Sequence, residues 1–142
     1  MQIRSSKNSR KDYKAELLEQ IRAADLPDPA REVTFHEARK WRFDFLFTDY
    51  AVAVEYDGGV FDGDPSHSSI SGILRDIEKI NEAQLAGFTV IRVTAQTVEN
   101  GTALRYIKRA ISKAKCAMLP DEKGKLAHVR RKLQGIIESL DK

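Results

Sequence analysis

Asp44, Glu55 and Asp57 stand within fourteen residues of this chain, and their spacing brings them together if the segment is a short β-hairpin. Asp44 lies in WRFDF, and Glu55 and Asp57 lie in VAVEYDGG. In the first run Trp41, Phe43, Phe45 and Phe47 occupy alternate positions, so Arg42 and Asp44 are expected on the opposite strand face. In the second, Val52, Val54 and Tyr56 alternate with Ala53, Glu55 and Asp57, which sets Glu55 and Asp57 roughly 6.6 Å apart on one face. A turn at Thr48, Asp49 and Tyr50 would put Asp44 across from Val54 or Glu55. Three acids are then expected at one point. Like charges that close repel and push one carboxyl toward protonation, unless a cation neutralises them. Hard oxygen ligands suit Mg²⁺, with Mn²⁺ as a substitute; Mg²⁺ takes one or two carboxylates and leaves its other positions for water and phosphate. The plainer alternative is an exposed hairpin face with ordinary acidic decoration. The third acid, the following Gly58-Gly59 and the basic flanking segments favour the metal.

The elements that must hold these acids follow from periodicity. Tyr13, Leu17, Ile21 and Ala24 recur at helical spacing, so a helix is expected from Ser9 to Ala24, capped at Asn8 or Ser9 and stopped by LPDPA. A strand is expected over Arg31 to His36, then the hairpin strands Arg39 to Phe47 and Ala51 to Asp57. Glycines and Pro65 make the segment to Ser69 a loop. A helix over Ile70 to Leu85 ends at Ala86-Gly87, and Phe88 to Val93 is a strand that returns parallel to the Ala51 strand. A helix over Thr102 to Lys115 follows. After MLPDEKGK, the positions Leu126, Val129, Leu133, Ile136, Ile137 and Leu140 mark an amphipathic tail helix. The order is α-β-β-β-α-β-α plus a tail helix: an α/β domain over 1–116 with a mixed sheet flanked by helices and the acids near one sheet edge, then a linker and basic helix over 117–142.

Composition bounds the partners. The chain has 142 residues, 42% of them apolar, which suffices for one cored domain. Its net charge of +3 hides a partition: about +3 over residues 1–42, −7 over 43–104 and +7 over 105–142. An acidic centre between basic arms suits a metal-dependent enzyme acting on a polyanion. Cys116 is the single cysteine, so no internal disulfide forms, in keeping with a reducing cytoplasm. The basic start has no apolar segment behind it and no stretch reaches membrane-spanning length, so an intracellular protein without a membrane partner is expected.

Taken in order, WRFDF, VEYDGG, a loop histidine, DIEKIN on a helix and GFTVIRVT on a strand resemble the PD-(D/E)XK nuclease superfamily. The likeness is to its compact phage and bacterial branch, similar to VRR-NUC and very-short-patch-repair-like endonucleases, and covers residues 31–98. It implies a restriction-endonuclease-like core and Mg²⁺-dependent hydrolysis of DNA phosphodiesters, leaving a 5′-phosphate and a 3′-hydroxyl. The substrate implied is branched or otherwise structured DNA, such as a four-way junction, in phage or bacterial recombination or repair. Asp44, Glu55, Asp57 and the carbonyl of Tyr56 are the metal candidates. The superfamily pattern has Lys two residues after its Glu, where this chain has Asp57; Lys79 resembles the relocated lysine of some branches. Lys79 is equally readable as a surface ion pair with Asp76 or Glu82. His67 is expected over the acids, to hold the phosphate, stabilise the leaving oxygen or bind metal, or is a plain loop residue. Glu32 is a candidate outer carboxylate. Arg42, Arg75, Arg130, Arg131 and Lys132 are the candidate DNA contacts, and the tail helix either forms a homodimer interface or packs on its own domain. Two rivals remain: a non-cleaving nucleic-acid-binding module on the same fold, and an adaptor acting through its tail helix.

Overall fold

The computed structural model describes residues 10–58, 69–118 and 134–140. Its elements are α1 (Tyr13–Ala23), β1 (Ala30–Thr34), β2 (Arg42–Phe47), β3 (Val52–Tyr56), α2 (Ile70–Leu85), β4 (Thr89–Val93), α3 (Ala95–Glu99) and α4 (Thr102–Met118), with a helical segment at 134–140. The expected element order holds, with α3 added between β4 and α4. Helix α1 starts later than its periodicity suggested, because Asp12 caps it by accepting from the amide of Ala15 at 3.1 Å. A 3-10 turn at Thr48–Tyr50, closed by Ala51 at φ +50°, joins β2 to β3.

The four strands lie in the order β1-β2-β3-β4, antiparallel except for the parallel β3–β4 pair that α2 connects. Asp44 and Glu55 are therefore on the two central strands. The expected position near a sheet edge is corrected, because β1 covers β2 on one side and β4 covers β3 on the other. One core packs Leu17, Leu18 and Ile21 of α1 and Ile107 and Ile111 of α4 against Phe45, Phe47, Val52, Val54 and Val93. A second, smaller core joins Phe43, Leu46 and Ala53 to Ala83 of α2, with Phe35 and Phe88 beside it. The two clusters occupy opposite sheet faces.

Phe43 departs from the expected alternation. It belongs to the second core, stacked on Phe35 with ring centroids 4.0 Å apart, whereas Phe45 and Phe47 belong to the first. The strand thus turns over at Asp44. β2 and β3 are paired over Phe45–Phe47 and Val52–Val54, and next to that run the amide of Tyr56 donates to the Asp44 side chain, at 2.7 Å. Across the sheet, Glu32 falls between the Arg31–Phe45 and Val33–Phe43 pairs, opposite Asp44, and adopts φ +50°. A left-handed conformation at a non-glycine residue is costly and marks the same local break.

Helix α2 is also oriented unexpectedly. Periodicity groups Arg75, Asp76, Lys79 and Glu82 as one polar face against Ile73, Ile77 and Ile80, and the structure corrects this: the side turned to the sheet carries Gly72, Asp76, Lys79, Ile80 and Ala83, while Arg75 and Glu82 are exposed with Ile73 and Ile77. The stripe Ile70, Ile73, Leu74 and Ile77 is exposed. Among the described residues, no helix is long and apolar enough to cross a membrane.

Candidate active site

The register that pairs Phe45 with Val54 puts Asp44 directly opposite Glu55. Two of the three carboxylates therefore meet, and the opening in the ladder is what admits them. The amide of Asp44 donates to Glu55 Oε1 at 3.3 Å, while Asp44 Oδ2 takes the amide of Tyr56. Each acid also receives a lysine, from helices packed on opposite sheet faces. Lys14 Nζ of α1 lies 2.8 Å from Asp44 Oδ1, and Lys79 Nζ of α2 lies 2.7 Å from Glu55 Oε2 and donates to the carbonyl of Arg42 at 2.6 Å. The result is a four-charge cluster with both signs balanced, pinned to main chain on two sides.

Burial differs across it. Glu55 and Lys79 side chains are each 15% exposed and Asp44 is 16%, whereas Lys14 is 42% exposed. Burial pushes the Glu55 carboxyl above the usual carboxylate range; Lys79 works against that shift and the charge of Asp44 adds to it. For Lys14 burial acts downward, but its hydrogen bond to Asp44, aided by Glu32 and Glu55, leaves the ammonium with a raised pKa. A cavity of about 420 Å³ opens beside Asp44, lined among others by Asp12, Lys14, Arg31 and Glu32. The Glu32 carboxylate reaches 3.8 Å from Lys14 Nζ, so it sits at the rim of the cluster.

Asp57 is elsewhere. The register pairing Glu55 with Arg92 on β4 brings that guanidinium within reach, and Arg92 Nε donates to Asp57 Oδ2 at 2.7 Å. Among the described residues, no group of three or more His, Cys, Asp or Glu side chains is placed to share an ion. The expected convergence of three acids is corrected to a pair. That pair still satisfies the one or two carboxylates a Mg²⁺ ion uses, with water and phosphate completing its shell. Asp44 and Glu55 are the residues that could hold such an ion, each of their oxygens facing a lysine or a backbone amide; Asp57 does not join them.

The remaining candidates divide. Lys79 points at Glu55, so the alternative pairing with Asp76 or Glu82 is not what the structure contains. The ring of Tyr56 stacks on Tyr13, with centroids 6.2 Å apart, while its amide holds Asp44. The Arg42 side chain is exposed while its carbonyl anchors Lys79. Arg75 is exposed and turns its Nε back to the Ser71 carbonyl at 3.4 Å. His67, Arg130, Arg131 and Lys132 lie outside the described residues. The sequence did not mark Lys14 or Arg92. Lys14 is 30 residues from its acid, and no local pattern encodes that contact. Arg92 could be found only by fixing the β3–β4 register.

Comparison of the chain with protein-family models, with curated proteins and with solved structures gave no match.

Proposed function

We propose that this protein is a metal-dependent endodeoxyribonuclease of restriction-endonuclease-like fold, with Asp44 and Glu55 as the carboxylates that hold Mg²⁺ or Mn²⁺. One observation carries the reading: two acids from adjacent central strands face each other at a break in the ladder, each held by a lysine, beside an open cavity. Keeping four charges partly out of water is costly, and replacing such groups with apolar ones is often neutral or better for stability. A functional demand accounts for their presence.

A divalent ion bound there offsets charge on the phosphate and makes water easier to deprotonate. Lys79, fixed by Glu55 and the Arg42 carbonyl, orients the attacking water and stabilises negative charge in the transition state. Lys14 is the more exposed ammonium, and it contacts a non-bridging phosphate oxygen at the cavity. Water oxygen bonds to phosphorus as the bond to the 3′ oxygen breaks. One water proton passes to solvent and the 3′ oxygen takes another, giving a 5′-phosphate and a 3′-hydroxyl. Branched DNA in phage or bacterial recombination or repair is the substrate class in keeping with the resemblance, and the cytoplasm of the cell is where it would be met.

The balanced charges also support a second reading. Each acid is already neutralised by a lysine, as in a nucleic-acid-binding module that does not cut. Flap, splayed, four-way and duplex DNAs incubated with Mg²⁺ or Mn²⁺, with cut positions mapped at nucleotide resolution, decide between the two. Nicks that disappear in Asp44→Asn support the nuclease; retained binding of all four DNAs without a nick supports the binding module.

A further inference from the structure

Helix α4 carries five cations, Arg105, Lys108, Arg109, Lys113 and Lys115, and no acid anywhere between Thr102 and Met118. Ala103, Ile107 and Ile111 bury its inner side, and all five cations are exposed. Their surroundings differ from those of six other basic residues, while Arg31, Lys40, Arg42 and Arg75 also form no ion pair among the described residues. Lys11, Lys14, Arg22, Arg39, Lys79 and Arg92 all form ion pairs with carboxylates. Among the described residues, none of the α4 cations does. The partners they have are uncharged: Arg105 reaches the Thr102 hydroxyl, Arg109 lies over the ring of Tyr106 at 5.9 Å, and Lys115 lies over Tyr50 at 5.6 Å. A groove of about 520 Å³ runs between this helix and β4, bordered by Thr89, Ile91, Tyr106, Lys108, Arg109 and Lys113.

We propose that the outer side of α4 and this groove form a docking surface for the sugar-phosphate backbone of duplex DNA, separate from the Asp44–Glu55 pair. Cations that pair with no carboxylate, on a helix that itself carries none, are matched by a polyanion; Asp49 lines a neighbouring cavity with Lys113 but forms no ion pair with it. Arg105 to Lys115 covers about 15 Å of helix, and one DNA strand presents a phosphate about every 3.4 Å along the axis, so about four phosphates fall within reach. The Thr89 end of β4 lies three residues along the sheet from Arg92 and Glu55, about 10 Å. This inference rests on the reading of the protein as acting on DNA, and it locates contacts apart from Arg42 and Arg75.

The test is the salt dependence of duplex DNA binding by the full chain in EDTA, followed by fluorescence anisotropy. Two double variants are compared with the unaltered protein: Lys108→Gln with Arg109→Gln, and Lys113→Gln with Lys115→Gln. Gln keeps helix propensity at these exposed positions, and helical content by circular dichroism verifies folding. Each pair should lower the magnitude of the log K against log salt slope by about 2, and weaken binding on the order of tenfold at 0.1 M salt. An unchanged slope in both folded variants overturns the surface. The two readings fail separately: loss of slope without Mg²⁺-dependent nicking by the unaltered protein leaves the surface standing and removes the nuclease, whereas nicking with an unchanged slope does the reverse.

Discussion

Helices α1 and α2 each hand one lysine to the same carboxylate pair, and they pack in opposite ways. α1 turns Leu17, Leu18 and Ile21 into the core, so Lys14 arrives at Asp44 from a helix that hydrophobic burial alone would orient. α2 turns Asp76 and Lys79 toward the sheet and leaves Ile70 78% exposed and Leu74 59% exposed. Burial of that stripe would have favoured rotating the helix the other way. The difference shows what sets each orientation: apolar packing for α1, and the Glu55–Lys79 contact with the small residues Gly72 and Ala83 for α2.

Substitutions can break this contrast. The largest expected effect is in the core, where Leu17→Ala should cost about 3 kcal/mol in urea unfolding, while Ile77→Ala on the outer side of α2 should stay within about 0.5 kcal/mol. Equal losses would mean that the α2 stripe is covered. Next come the lysines. Lys79→Met strands a secluded Glu55 and should cost about 2 kcal/mol; Lys14→Met, at a more exposed pair, should cost under about 1 kcal/mol. Nicking should fall further for Lys79→Met than for Lys14→Met.

A smaller effect is expected from pH. Because the folded-state pKa of Glu55 is raised, its contribution to stability is present below its ordinary value and is lost as pH rises through the folded value. The stability of the unaltered protein relative to Glu55→Gln should therefore fall as pH increases across that window. The smallest expected effect is at Asp57: Asp57→Asn loosens an exposed pair with Arg92 and should change nicking less than tenfold, against about a thousandfold or more for Asp44→Asn.

Much of this arrangement was legible in residue spacing. The limits of α2, the turn at Thr48–Tyr50 and the position of Asp44 across from Glu55 all follow from periods of two and 3.6 and from a three-residue turn. What spacing could not give was how one face meets another. Helical periodicity groups Ile73 with Ile77, yet it does not say whether that group looks at the sheet or at solvent. Alternation put Phe43 beside Phe45 because a regular strand would; it could not register that the Asp44 side chain takes the amide of Tyr56 and lets the strand turn over. Asp57 was grouped with Glu55 on the correct face, but Arg92 from β4 takes it, and that follows from a sheet register set 35 residues away. Lys14 was hidden for the same reason. His67 and the basic run Arg130 to Lys132 remain outside the described residues.

Titration of the unaltered protein with Mn²⁺, followed by the loss of free-ion electron paramagnetic resonance signal, tests the role of the carboxylate pair most directly. The account predicts specific Mn²⁺ uptake that Asp44→Asn removes and Asp57→Asn preserves. Uptake that is the same in Asp44→Asn, or that depends on Asp57 in its place, would contradict it.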